Sequence, residues 1–174
     1  MRHVYSALMR ARPLPVLAGI LLLVGCDAVG IEPPPADVPA ADVPAWGAML
    51  VAVNEVRASG ATCGGTWHPP AGPLGWNGRL AVAAERHSRD MAQNKHFDHR
   101  GTDGRGTGER VRRAGYDWRA VGENIARHQV SVDQVMGDWL KSPGHCRQLL
   151  DPRYVEVGAA EEGGYWAQTF GVPR

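Results

Sequence analysis

Apolar residues recur at helical spacing along three long stretches of the chain and alternate in shorter runs between and after them. From Pro44 to Ser59, Trp46, Met49, Leu50, Val53 and Val56 share one helical face, while Asn54, Glu55 and Arg57 fall off it. Proline is tolerated in the first turn, where the missing amide has no intrahelical partner. Asn77 is a suitable N-cap for a second helix reaching about Asn94, with Leu80, Ala84, His87 and Met91 as its apolar stripe. His87 is thus expected to face the core as a packed histidine with one or two hydrogen bonds. Ser131 opens a third helix, Gln134 completes a capping box, and Val132, Val135, Met136, Trp139 and Leu140 form its core face. Pro143 cannot continue that helix, so Ser142-Pro143 predicts the start of a short helix over Gly144 to Leu150, set at an angle.

Strand-like runs fill in the rest. Val121 to Ala126 reads as a short strand carrying Glu123. Val155, Val157 and Ala159 alternate in another, Glu161 to Gly164 reads as a turn, and Tyr165 to Phe170 as the returning strand. Ala61 to Gly75, with paired Gly and Pro-Pro, reads as a long loop pinned by Cys63. Arg100 to Gly108 is a second, Gly-rich loop, followed by a short helix from Glu109 to Ala114 closed by Gly115. The pattern is that of an α+β domain, helices packed on a small sheet.

The first 44 residues do not share these patterns. Arg2, His3, Arg10 and Arg12 precede a short apolar run, Val16 to Val24, too short for a comfortable membrane span. Leu23-Val24-Gly25-Cys26 resembles the bacterial lipobox, which makes residues 1–25 a lipoprotein signal peptide and Cys26 the lipidated residue. Lipid chains there would exceed the two-chain threshold for stable anchoring to a bacterial membrane. Asp27 resembles an inner-membrane retention signal, should the cell be Gram-negative. Ala28 to Pro44 is rich in proline and acidic residues and has no aromatic, so it reads as the disordered part of a tether over residues 26–44. The expectation is an exported lipoprotein facing the periplasm or the cell exterior, with its folded domain over residues 45–174.

Composition narrows the chemistry. The net charge of +1 gives no electrostatic reason to expect nucleic-acid binding. With Cys26 lipidated, Cys63 and Cys146 remain, and an oxidising compartment favours a disulfide between them over a metal role, since neither has a CxxC neighbour. Arg105, Arg110, Arg112, Arg113 and Arg119 make one region basic; a solvated face is preferred there to contact with anionic lipid head groups. Glu123 and His145 bracket one strand–helix–helix unit, and His96 and His99 lie three apart beside Asp98, which could orient an imidazole. There is no HExxH and no recognisable serine elbow.

Five motifs in order resemble the bacterial branch of the CAP superfamily, which takes in cysteine-rich secretory, antigen 5 and pathogenesis-related 1 proteins. They are Asn77 to Met91 (NGRLAVAAERHSRDM), His96-Phe97-Asp98-His99, Gly122-Glu123-Asn124-Ile125-Ala126, Trp139 to His145 (WLKSPGH), and Tyr165 to Phe170 (YWAQTF). The resemblance covers about Ala45 to Val172 and implies an α–β–α sandwich with a mostly antiparallel sheet and a central cleft. It also implies a cleft tetrad of two His and two Glu, able in some members to bind zinc or another divalent cation. His99, Glu123 and His145 match three of the four; the position of the second glutamate is Ser142, with Glu109 a weaker spatial substitute.

Three readings follow from the resemblance. The favoured one is a membrane-anchored extracytoplasmic domain whose cleft binds a small apolar, lipid or peptide ligand, with or without a divalent metal; Trp118, Trp139, Tyr165 and Trp166 would supply aromatic surface, although core packing explains them as well. The second is a hydrolase using zinc-bound water at His99, Glu123 and His145. The third is a structural envelope protein.

Overall fold

The computed structural model describes residues 45–174, so the signal peptide, Cys26, Asp27 and the tether lie outside the described residues. The elements run α1 (Ala45–Ser59), β1 (Ala61–Cys63), β2 (Thr66–His68), β3 (Gly75–Trp76), α2 (Gly78–Asn94), α3 (Thr107–Arg113), β4 (Trp118–Arg127), α4 (Val132–Lys141), α5 (Pro143–Leu150), β5 (Glu156–Glu162) and β6 (Tyr165–Pro173). A four-stranded sheet in the order β3-β5-β6-β4 forms the middle layer; β3 runs parallel to β5 and the other pairs are antiparallel.

Strand alternation assigns the two outer layers. Gly122, Asn124 and Ala126 of β4 pair with Phe170, Gln168 and Trp166 of β6, and this face packs on α1, α4 and α5 through Met49, Val53, Val135, Trp139 and Leu149. Val121, Glu123 and Ile125 point the other way, toward α2 and α3, where Leu80, Val111, Ala84 and Met91 are buried. The result is the expected α–β–α sandwich. Its tightest joint is at Gly158 of β5, where a Cβ atom would stand 2.0 Å from the amide nitrogen of Ala81, so α2 lies directly on the strand backbone.

Helix signals are realised closely. Asn77 accepts from the amides of Arg79 and Leu80, and all four predicted stripe residues of α2 are buried. Ser131 caps α4, but Gln134 Oε1 accepts the amide of Val130 instead of closing the box on Ser131. Pro143 occupies the first turn of α5.

Other expectations are corrected. The Ala61–Gly75 loop contains the β1–β2 hairpin, turned by Gly64 and Gly65, both with positive φ, and ends in β3. That Gly-Gly pair between short β-prone runs is the hairpin signal. α3 begins at Thr107, two residues before the expected start, β4 is longer at both ends, and the last hairpin turns on Gly163-Gly164. Arg57 is fully buried, not on a polar face: its guanidinium donates to the carbonyls of Gly72, Leu149, Asp151 and Tyr154 and so ties α1 to α5. Trp139 and Trp166 belong to the core, and Trp118 packs over Gly108 with Arg112 on its ring. The disulfide Cys63–Cys146 is present, with its Cα atoms 5.5 Å apart.

Candidate functional site

Both outer layers contribute to a polar centre on edge strand β4. Lys95 ends α2 in a left-handed conformation, φ 50°, which turns the chain into the loop that carries His99. Asp98 accepts the amide of Arg100 at 2.7 Å, and Arg110 of α3 donates to the carbonyls of His99 and Arg105. The loop is therefore held from within by the Asp98 carboxylate and from α3 by the Arg110 guanidinium.

Glu123 is the hub. Its Oε1 accepts from His99 Nδ1 at 2.9 Å and from the Thr107 hydroxyl at 3.0 Å, while Oε2 accepts from Arg110 at 2.7 Å. Burial alone would push this carboxyl up, but the His99 hydrogen bond and the Arg110 and His87 charges outweigh it and lower the pKa. A carboxylate so committed orients its neighbours; it is poorly placed to act as a free base.

Two histidines, His99 and His87, face Glu123, and His145 stands in the opposite layer. The His99 ring is 54% exposed. Its hydrogen bond to Glu123 raises its pKa, against burial, and holds the proton on Nδ1, which leaves Nε2 to meet a ligand. His145, on α5, has its pKa lowered by burial first and by the His99 charge second. Its carbonyl accepts from Asn124 Nδ2 at 3.3 Å, and its neighbour Cys146 is tied to Cys63. His87 is buried as expected, yet neither ring nitrogen has a hydrogen-bond partner among the described residues; Nε2 lies 3.7 Å from Glu123 Oε1. Burial lowers its pKa despite that carboxylate.

Of the residues singled out from sequence, His99 and Glu123 are bonded and His145 approaches from the opposite layer. Ser142 lies at the α4–α5 junction without a side-chain cap bond, and Glu109 turns away to Arg105 at 2.8 Å. His96 bonds the Arg100 carbonyl through Nε2 at 2.8 Å. Sequence reasoning missed Arg110, Thr107 and Asn124 as site residues. Arg110 is 8% exposed and leaves the solvated basic face expected for it; its spacing from Thr107, one helical turn, is the only local signal that they share a side.

The donor set bears on a divalent cation. Among the described residues, no three His, Cys, Asp or Glu side chains are gathered to hold a metal ion. Glu123 stands behind His99, bonded to the ring nitrogen away from any ligand, as second-sphere carboxylates do for metal-binding imidazoles. The arrangement thus orients one imidazole, His99, with Nε2 on the side away from Glu123.

Comparison with known proteins bears on the family and the fold. The model of the CAP, cysteine-rich secretory protein, family matches residues 50–168. An uncharacterized protein of Bacillus subtilis (strain 168), YkwD, is 30% identical over 100 residues, covering 56% of this chain and 39% of its own length. The uncharacterized membrane protein YlbC of the same organism is 32% identical over 97 residues, covering 56% of this chain and 28% of its own. The chain therefore spans well under half the length of these relatives. An extracellular protein containing a SCP domain from Bacillus anthracis superposes with a TM-score of 0.60 at 22% identity, over 72% of this chain and 41% of that one, a likeness of fold. The sandwich, the motifs and the family match together establish that the chain belongs to the CAP, or cysteine-rich secretory protein, family.

Proposed function

We propose that this is an exported CAP domain that binds a peptide-like ligand over β4, with His99 and His145 as its polar contacts. The carrying observation is the His99–Glu123 hydrogen bond: it fixes one imidazole, half exposed, with Nε2 presented, while Glu123 is saturated by His99, Thr107 and Arg110. Binding is favoured over turnover because the carboxylate is occupied and both cysteines of the domain are in the disulfide. A peptide is favoured over a wholly apolar lipid because Trp139 and Trp166 are spent on the core. Phe97, two residues before His99 and 39% exposed, offers an apolar contact beside Tyr165 and Arg127. Export accords with the extracellular relative, and a lipid anchor on Cys26 with the tether to Pro44 would hold the domain at a bacterial membrane.

The free Nε2 of His99 also suits zinc or another divalent cation held with His145, which would supply Lewis acidity for the hydrolase reading. One experiment separates these. A library of short peptides is titrated calorimetrically against the protein, H99A and H145A, with metal content measured on each. Saturable binding lost in both variants supports the binding module. Peptide cleavage lost in the same variants, with loss of stoichiometric metal, moves the assignment to the hydrolase. Undiminished binding in both variants removes the cleft from the function and leaves a structural envelope role.

A further inference from the structure

A cavity of about 400 Å³ lies between α2 and α3 and is lined by Arg86, Asp90, Asp103, Arg105, Arg110 and Arg113. Its charges are unevenly matched. Arg105 is taken by Asp103 and Glu109, at 2.6 and 2.8 Å, and Arg110 by Glu123. Asp90 accepts from the Thr102 amide and hydroxyl and from Asn94, so its oxygens are occupied by neutral donors. Arg86 and Arg113 form no ion pair among the described residues. Arg86 donates to the Arg113 carbonyl at 3.3 Å, which brings the two residues together at the rim. Arg110, whose side chain is 9% exposed, keeps its Nε without a hydrogen-bond partner.

We propose that this cavity binds a phosphoryl oxyanion, with Arg86 and Arg113 as the recognising guanidiniums and Arg110 as the fixed cation in the wall. Guanidinium forks match the oxygens of a phosphoryl group in pairs, and Arg86 and Arg113, which form no ion pair among the described residues, put two such forks on one rim. The wall carboxylates, Asp90 and Asp103, repel an anion and confine it to the Arg86–Arg113 side. Two sources carry this chemistry: a soluble phosphate ester and the headgroup of an anionic phospholipid. The cavity shares Arg110 with the Glu123 centre, but its recognising residues, Arg86 and Arg113, lie outside that centre.

The test titrates inorganic phosphate into the full chain at low ionic strength and follows backbone amide resonances. Saturable shifts are expected at Gly101 and Asp103, beside the cavity. Arg86→Gln with Arg113→Gln, both exposed and unpaired, should weaken binding at least about tenfold, since each charge-assisted hydrogen bond contributes about that much. Arg119→Gln with Arg174→Gln removes the same net charge elsewhere and should leave affinity unchanged. Phosphatidylglycerol vesicles, compared with phosphatidylcholine, identify the source. Binding to the former that phosphate competes away and the first pair abolishes supports the headgroup; phosphate binding without vesicle binding supports the soluble ester. Absence of saturable shifts at Gly101 and Asp103 in the unaltered protein, or equal losses in the two double variants, overturns the site.

Discussion

The guanidinium of Arg110 lies 2.7 Å from the carboxylate of Glu123, and both side chains are at least nine-tenths buried. Removing one partner of such a pair leaves the other charge uncompensated, which typically costs about 3–5 kcal/mol. Arg110→Met should lower the unfolding free energy in urea by about that amount, because the buried Glu123 charge then loses its guanidinium and keeps only His99 and the neutral Thr107 hydroxyl as hydrogen-bond donors. Adding Glu123→Gln to that variant should recover a substantial part. If the double variant is no more stable than the single, the pair is not the source of the loss.

The histidines should titrate in opposite directions. Ring-proton NMR should place His99 above the ordinary histidine value and His145 and His87 below it. Glu123→Gln should bring His99 back toward that value. A raised folded-state pKa contributes stability that is present in full below the unfolded value and is lost as pH rises through the folded one. The stability difference between the protein and H99A should therefore shrink on raising the pH from about 5 to about 9. His87 and His145, lowered on folding, contribute the reverse: stability present above the ordinary value and lost as pH falls below it.

Gly158→Ala tests the joint between α2 and β5. The new methyl would meet helix backbone at Ala81 and Leu80, which cannot swing aside as a side chain can. The loss should exceed the roughly 1–3 kcal/mol usual for overpacking, and thermal melts together with His87 and His99 resonances should report α2 displaced. A stable variant with unperturbed histidine shifts would refute the account of that joint.

The Cys63–Cys146 bridge closes a sequence separation of 83 residues. Replacing both cysteines by serine should cost roughly 2–4 kcal/mol by chemical denaturation. His145 resonances should broaden or shift more than those of His99, because only His145 adjoins the bridge.

What was legible in the sequence was local. The α2 stripe, the Asn77 cap and Pro143 at the head of α5 depend on neighbours within a turn or two, and they reappear as read. Burial of charged residues was not legible. Arg57 enters the interior because the fold brings four carbonyls to it, and Arg110 because Glu123 arrives from a strand thirteen residues on. The local signals are spacings alone: Arg57 follows the buried Met49 and Val53 at four-residue steps, and Arg110 lies one turn after Thr107. For the same reason His87 was read as an ordinary packed ring, although its place 3.7 Å from Glu123 makes it part of the polar centre.

Glu123 and Asn124 are consecutive, and a strand sends consecutive side chains to opposite faces. One reaches His99 in the layer of α2 and α3; the other reaches the carbonyl of His145 in the layer of α5. The two residues thus act as a vernier between the layers. A slip of β4 by one position against β6 would send the carboxylate toward α5 and the amide toward Arg110, leaving both histidines without their supports. The candidate site consequently exists in a single register of the sheet, and an insertion or deletion of one residue within β4 would abolish it even if every layer still packed.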